Sequence, residues 1–142
     1  MTLSLSLDEG ERHALEDALD DEYKSHATYA QVIRDFGPIR PFINIVDAEA
    51  RHVSALLAIF NRYGLSAPAD RWSAAIPRFA SVHAACMASI QGEIENVALY
   101  DRVLASTRRP DILAVYEALR SASQDRHLPA FRRCAQRGLR GR

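Results

Sequence analysis

Apolar residues recur at three- and four-residue steps through most of the chain, and no stretch holds the two-residue alternation of a half-buried strand, so the pattern predicts an all-α fold. Ser6-Leu-Asp-Glu9 has the spacing of a capping box, and Gly37-Pro38 supplies a stop signal, which together predict a first helix over 8–36. Pro41 suits the first turn of a second helix, in which Phe42, Ile45, Glu49, His52, Leu56, Ile59 and Tyr63 keep one face until Gly64. Residues 65–77 carry Pro68, Asp70 and Pro77 and read as one longer connection, with Trp72 packing it onto the helices. A third helix is expected over 79–106, with Phe79, Val82, Cys86, Ile90, Glu93, Val97, Tyr100 and Leu104 on one face. A fourth, over 110–137, opens at Pro110-Asp111 and carries Ile112, Tyr116, Leu119, His127, Phe131 and Cys134. Pro129 conflicts with it, because a proline there removes one hydrogen bond and crowds the carbonyl of Asp125, so a kink is expected. Helices of roughly 25 residues span about 37 Å each. With short links after the first and third and a long one after the second, they predict an antiparallel four-helix bundle of two helix pairs.

Composition narrows the function classes. The 142 residues suit one domain, with the bundle over about 8–137 and a short basic tail. Eighteen basic residues balance eighteen acidic ones, which argues against a nucleic-acid partner, since neutralising phosphates needs a basic surplus. Two cysteines make no disulfide framework, no apolar run is long enough to span a membrane, and the first residues lack the pattern of a secretory signal. The expected location is the cytoplasm. Residues 8–22 hold eight acids and one Arg, whereas 111–142 hold seven Arg and three acids. Such polarity complements helix dipoles, so Arg132, Arg133, Arg137, Arg140 and Arg142 are expected on a solvated face.

The two halves of the chain repeat one pattern. Glu22-x6-Tyr29-x2-Val32-Ile33 in the first helix matches Glu93-x6-Tyr100-x2-Val103-Leu104 in the third, and Glu49-x2-His52 in the second matches Gln124-x2-His127 in the fourth. Residues three apart on a helix differ by about 60° in direction, so Glu49 and His52 can address one ion; residues seven apart are nearly eclipsed, which puts Tyr29 on the face of Glu22 and Tyr100 on that of Glu93. These polar positions interrupt stripes that are otherwise apolar. A buried carboxylate is costly unless paired or metal-bound, so three carboxylates and two imidazoles at one level call for a cation. Carboxylate oxygen with imidazole nitrogen is the ligand mix of iron, manganese or zinc sites.

Glu22, Glu49-x2-His52, Glu93 and Gln124-x2-His127 resemble the metal-binding pattern of the ferritin-like superfamily, and within it of small rubrerythrin-like bundle proteins, over residues 8–137. The resemblance implies a dinuclear iron or manganese centre: Glu22 and Glu93 as terminal ligands, Glu49 as a bridge, and His52 and His127 as nitrogen ligands. It also implies an oxidoreductase acting on Fe(II), dioxygen or peroxide, with Tyr29 and Tyr100 as hydrogen-bonding or redox neighbours of the ligands. Gln124 departs from the pattern, standing where a second bridging glutamate is expected. Three carboxylates leave a pair of divalent ions with one excess positive charge, which weakens the second ion and leaves open a mononuclear or non-catalytic bundle. No Cys-x2-Cys pair supplies an electron-transfer iron centre, so turnover needs a separate electron donor. The resemblance makes a cage an unexpected assembly, because no fifth helix of the kind cages use follows residue 137, and a homodimer is expected instead. Cys86 lies seven residues before Glu93 and Cys134 seven after His127, so antiparallel third and fourth helices place both thiols toward the same end of the bundle, either as a reversible disulfide or as two buried thiols.

Overall fold

In a computed structural model that describes residues 6–140, four helical rods pack side by side. The first rod is α1 (Glu9–Phe36) and the second α2 (Phe42–Arg62). The third is α3 (Val82–Val103), extended by a 3₁₀ turn over Leu104–Ser106. The fourth is α4 (Pro110–Ala122), a π-turn (Ser123–His127) and α5 (Leu128–Arg140) in succession. No strand occurs among the described residues.

Helix ends show which local signals prevailed. The capping box at the start of α1 is Asp8 with Glu11, two residues beyond the expected Ser6 and Glu9: the Asp8 carboxylate accepts from the Glu11 amide at 2.7 Å and Glu11 accepts from the Asp8 amide at 3.0 Å. Both spacings satisfy the motif, and the second prevails because the other oxygen of Glu11 is held by Thr107 and Arg109 from across the bundle. At the end of α2, Gly64 takes φ +68° and lets Leu65 N–H reach back to the Phe60 carbonyl, a closure that only a left-handed residue completes cheaply. Helix α3 starts three residues later than the pattern predicts, since Ser81 caps it through the Ala84 amide.

Tyr29 meets Phe42 beside the α1–α2 link and Glu22 meets His52 farther from it, so these helices run antiparallel. Helix α3 also opposes α1, through Tyr29 with Glu93, Glu22 with Tyr100, and Glu11 with Thr107. The fourth rod opposes both α2, through Arg62 with Asp111 and Glu49 with His127, and α3, through Asn96 with Ser123 and Cys86 with Cys134. Helices α2 and α3 therefore point the same way and lie on a diagonal. The link over 63–81 must then run the length of the bundle, a distance of about 31 Å for a helix as long as α2. Arg71 and the Trp72 indole hold it to Asp20 halfway along α1, with the Arg71 and Lys24 cations over the Trp72 ring.

The expected interruption of the fourth rod appears as the π-turn. Leu128 N–H bonds back five residues to the Ser123 carbonyl, and Pro129 stands in the first turn of α5, just past this widened turn. The apolar core is divided in two. Leu15, Leu19, Leu56, Phe60, Ile112 and Tyr116 fill one end, and Val32, Phe42, Phe131 and the joined Cys86 and Cys134 fill the other.

At the first of these ends, burial pushes the Glu11 carboxyl up, but hydrogen bonds from Thr107, the Asp8 amide and Arg109 outweigh it and hold it below the usual carboxylate range. A depressed carboxyl stabilises the fold above its unfolded pKa of about 4.3, and this contribution fades as pH falls below that value. Glu11→Gln is expected to lower stability in urea unfolding by about 3 kcal/mol at pH 7, because it removes the carboxylate charge from a buried ion pair with Arg109. The difference from the parent chain should shrink below pH of about 4; a constant difference would contradict the assignment.

Candidate metal centre

Between the two apolar ends, the rods place a band of polar side chains. Glu22 of α1, Glu49 of α2, Glu93 of α3 and His127 of the π-turn are all buried, and His52 of α2 keeps 11% of its side chain exposed. Three-residue spacing puts Glu49 and His52 on one face, with 3.7 Å between the Glu49 carboxylate and His52 Nδ1. His52 Nδ1 lies 3.0 Å from Glu22, and His127 Nδ1 lies 3.1 Å from Glu49 and 3.5 Å from Glu93. The imidazoles stack at 5.6 Å with 19° between their planes.

The band has an approximate two-fold arrangement. Glu22, Glu49 and His52 converge in one group and Glu49, Glu93 and His127 in another, each with ligand atoms within 4.8 Å of one another. Glu49 belongs to both. The tyrosines cross between the halves: Tyr100 donates to Glu22 at 2.7 Å and Tyr29 donates to Glu93. Each bond occupies one oxygen of a carboxylate and leaves the other toward the centre. Buried Glu93 Oε1 and His127 Nδ1 have no hydrogen-bond partner. Buried polar atoms are rarely left so, and two of them among three carboxylates form a pocket of negative potential able to hold a metal ion.

Burial pushes the Glu49 carboxyl well above the usual range, helped by repulsion from Glu22 and Glu93. Burial acts on Glu22 in the same direction, but hydrogen bonding and charge from His52, with further bonds from Glu49 and Asn96, outweigh it and hold Glu22 below the usual range. Tyr29 and Tyr100 are driven well above the phenol range, first by burial and then by the nearby carboxylates, and so serve as proton donors.

The structure thus brings Glu22, Glu49, His52, Glu93, His127, Tyr29 and Tyr100 into one band. Gln124 is not among them. Its side chain is exposed, contrary to the expectation that it stands in a bridging position. The reason is the π-turn, which adds a residue to the turn, so that the residue sharing the inward side with His127 is four positions upstream rather than three. That residue is Ser123, buried and donating to the side-chain amide oxygen Oδ1 of Asn96 at 2.6 Å. Asn96 in turn donates to Glu22 at 2.9 Å and to Asp21 at 2.6 Å. Burial raises the Asp21 carboxyl to about 6, against the bond from Asn96. Sequence reading missed Asn96 and Ser123. Asn96 is three residues from Glu93 on the same face, a usable signal, whereas Ser123 could be found only through the turn that Pro129 hints at. Glu95, a competitor for the inward position of helix α3, is exposed, and His26 belongs to neither converging group.

None of the described helices is long and apolar enough to cross a membrane. No protein-family model matches the sequence, and no curated protein matches it. The fold matches the crystal structure of a hypothetical protein from Methanococcus jannaschii with a TM-score of 0.84 at 20% identity, over 97% of this chain and 86% of that one. At that identity the likeness extends to the four-helix architecture and not to chemistry.

Proposed function

We propose that the chain is a ferritin-like metalloprotein of the rubrerythrin-like kind, whose central band holds two divalent transition-metal ions and acts as an oxidoreductase on Fe(II), dioxygen or peroxide. The observation that carries this reading is the sharing of Glu49 between two Glu/His groups, beside Glu93 Oε1 and His127 Nδ1, which make no hydrogen bond. The single long crossover between α2 and α3 supports it, since ferritin-like bundles are built with one such connection. Iron or manganese bound there supplies one-electron chemistry that no side chain offers, whereas zinc would bind the same atoms without redox change.

The chain's own residues prepare the site. Glu22 with His52 forms one half, Glu93 with His127 the other, and Glu49 lies between them. Tyr100 and Asn96 fix Glu22 while Tyr29 fixes Glu93, so the carboxylates are oriented before any ion arrives. The apolar clusters keep water from the two ends of the band. Electrons for turnover come from a separate donor, and we propose a cytoplasmic location, no nucleic-acid or membrane partner, and a possible homodimer.

A second reading is a mononuclear or non-catalytic metal site. It is favoured by the Ser123–Asn96 hydrogen bond, which occupies the place a fourth carboxylate would need. Two divalent ions against three carboxylates retain one excess positive charge, so the second ion should bind more weakly than the first.

Anaerobic loading with Fe(II), followed by metal analysis and oxygen uptake, separates the readings. Close to two irons per chain with oxygen consumption supports the dinuclear enzyme; one ion or none, without uptake, supports the second reading. Glu49→Gln should abolish the second ion and reduce affinity for the first by about tenfold or more. In the metal-free chain the same change should raise stability to urea by about 1 kcal/mol, because it removes one of three crowded buried carboxylates. A lower urea midpoint would mean that Glu49 serves the fold and not an ion. Gln124→Glu should leave both metal number and affinity unchanged, since that side chain is exposed.

A further inference from the structure

On the outer side of the centre, the α1–α2 link, α2 and the fourth rod line a half-open cavity of about 500 Å³. Its walls carry five arginines: Arg40 in the α1–α2 link, Arg51 on α2, Arg126 in the π-turn, and Arg133 and Arg137 on α5. Asn44 is among the other lining residues, and His127 forms part of the wall. No carboxylate lines the cavity. Outside the cavity, Arg12, Arg62, Arg71, Arg78, Arg102, Arg109 and Arg120 each lie within 4.0 Å of an aspartate or glutamate, while Arg34, Arg108 and Arg132 stand apart from one another without such a partner among the described residues. Among the described residues, none of the five cavity arginines has such a partner. A neutral protein has therefore gathered five guanidinium groups without a carboxylate partner around one concavity, from four segments of the chain, and their side chains are exposed, as the sequence predicts for Arg133 and Arg137.

We propose that this cavity binds a small molecule bearing a diphosphate or longer phosphate group. Guanidinium forks match phosphate oxygens in bidentate geometry, and their charge is fixed at all physiological pH. Phosphate carries up to about two negative charges per group against one per carboxylate, so a phosphate chain best answers five cations in this volume. The volume falls within the range of small-molecule pockets. Concavity argues for a compact ligand over a nucleic-acid backbone, which is tracked by an open basic stripe. Because His127 belongs to both the cavity wall and the metal band, a bound anion would sit beside the centre. The assignment itself rests on the arginines and stands whether or not the band holds metal.

Calorimetric titration of the full metal-stripped chain with inorganic pyrophosphate tests the proposal without reference to redox activity. One saturable site per chain is expected, weakening as salt is raised. Arg51→Gln and Arg133→Gln, exposed changes on opposite walls, should each weaken it by about tenfold. Arg102→Gln, whose parent pairs with Asp17 elsewhere, should leave it unchanged. Circular dichroism melting of each variant, matching that of the parent chain, assigns any loss to the site and not to unfolding. Absence of saturable binding, or binding indifferent to Arg51 and Arg133, would overturn the proposal. Citrate binding as tightly as pyrophosphate would overturn the phosphate assignment, and a short DNA duplex binding more tightly would overturn the compact ligand.

Discussion

Three carboxylates held together away from water are the constraint around which this bundle is organised. Alone, such a cluster opposes folding, since each charge loses hydration and each repels the others. What makes it tolerable is a surrounding set of hydrogen bonds, from Tyr100 and Asn96 to Glu22, between His52 and Glu22, and from Tyr29 to Glu93, with the His127 ring 3.1 Å from Glu49. The apolar clusters then act as supports on either side. Leu15, Leu56 and Phe60 at one end and Val32, Phe42 and Phe131 at the other provide the burial that the middle of the bundle gives up.

This division explains the connectivity. Each tyrosine serves the carboxylate of the other half, and the group of Glu93 and His127 borrows Glu49 from the first helix pair, so the two groups are joined across the bundle. The crossover over 63–81 allows α1 to face both α2 and α3, which a chain of short hairpins would not give in this order. Asp20 secures the crossover through Arg71 and Trp72 one residue before the acidic pair that faces Asn96, so the link is anchored at the level of the site.

Much of this was legible in the sequence because helical periodicity is a strong signal and because polar residues stood out on apolar stripes. Glu22, Glu49, His52, Glu93 and His127 could be placed at one level from spacing alone. The limits lay where local geometry departs from the regular helix. Gln124 was assigned inward by a rule of three residues that fails in a π-turn, and Ser123 was hidden by the same failure. The first cap was misplaced because two overlapping pairs share one spacing, and only a contact from Thr107 and Arg109 distinguishes them. The arginine cavity was also out of reach, since Arg40, Arg51, Arg126 and Arg133 are scattered along the chain and meet only after folding.

The widened turn at Ser123–His127 also sets the phase of everything after it. Each residue advances a helix by about 100°, so deleting one residue within the turn would swing α5 by that angle about its own axis. Phe131 would leave its aromatic neighbours Tyr29 and Phe42, and the sulfur of Cys134 would no longer meet that of Cys86. A single irregular turn is thus the phase adjuster that lets one continuous rod present His127 to the polar band and Cys134 to the covalent tie at the far end.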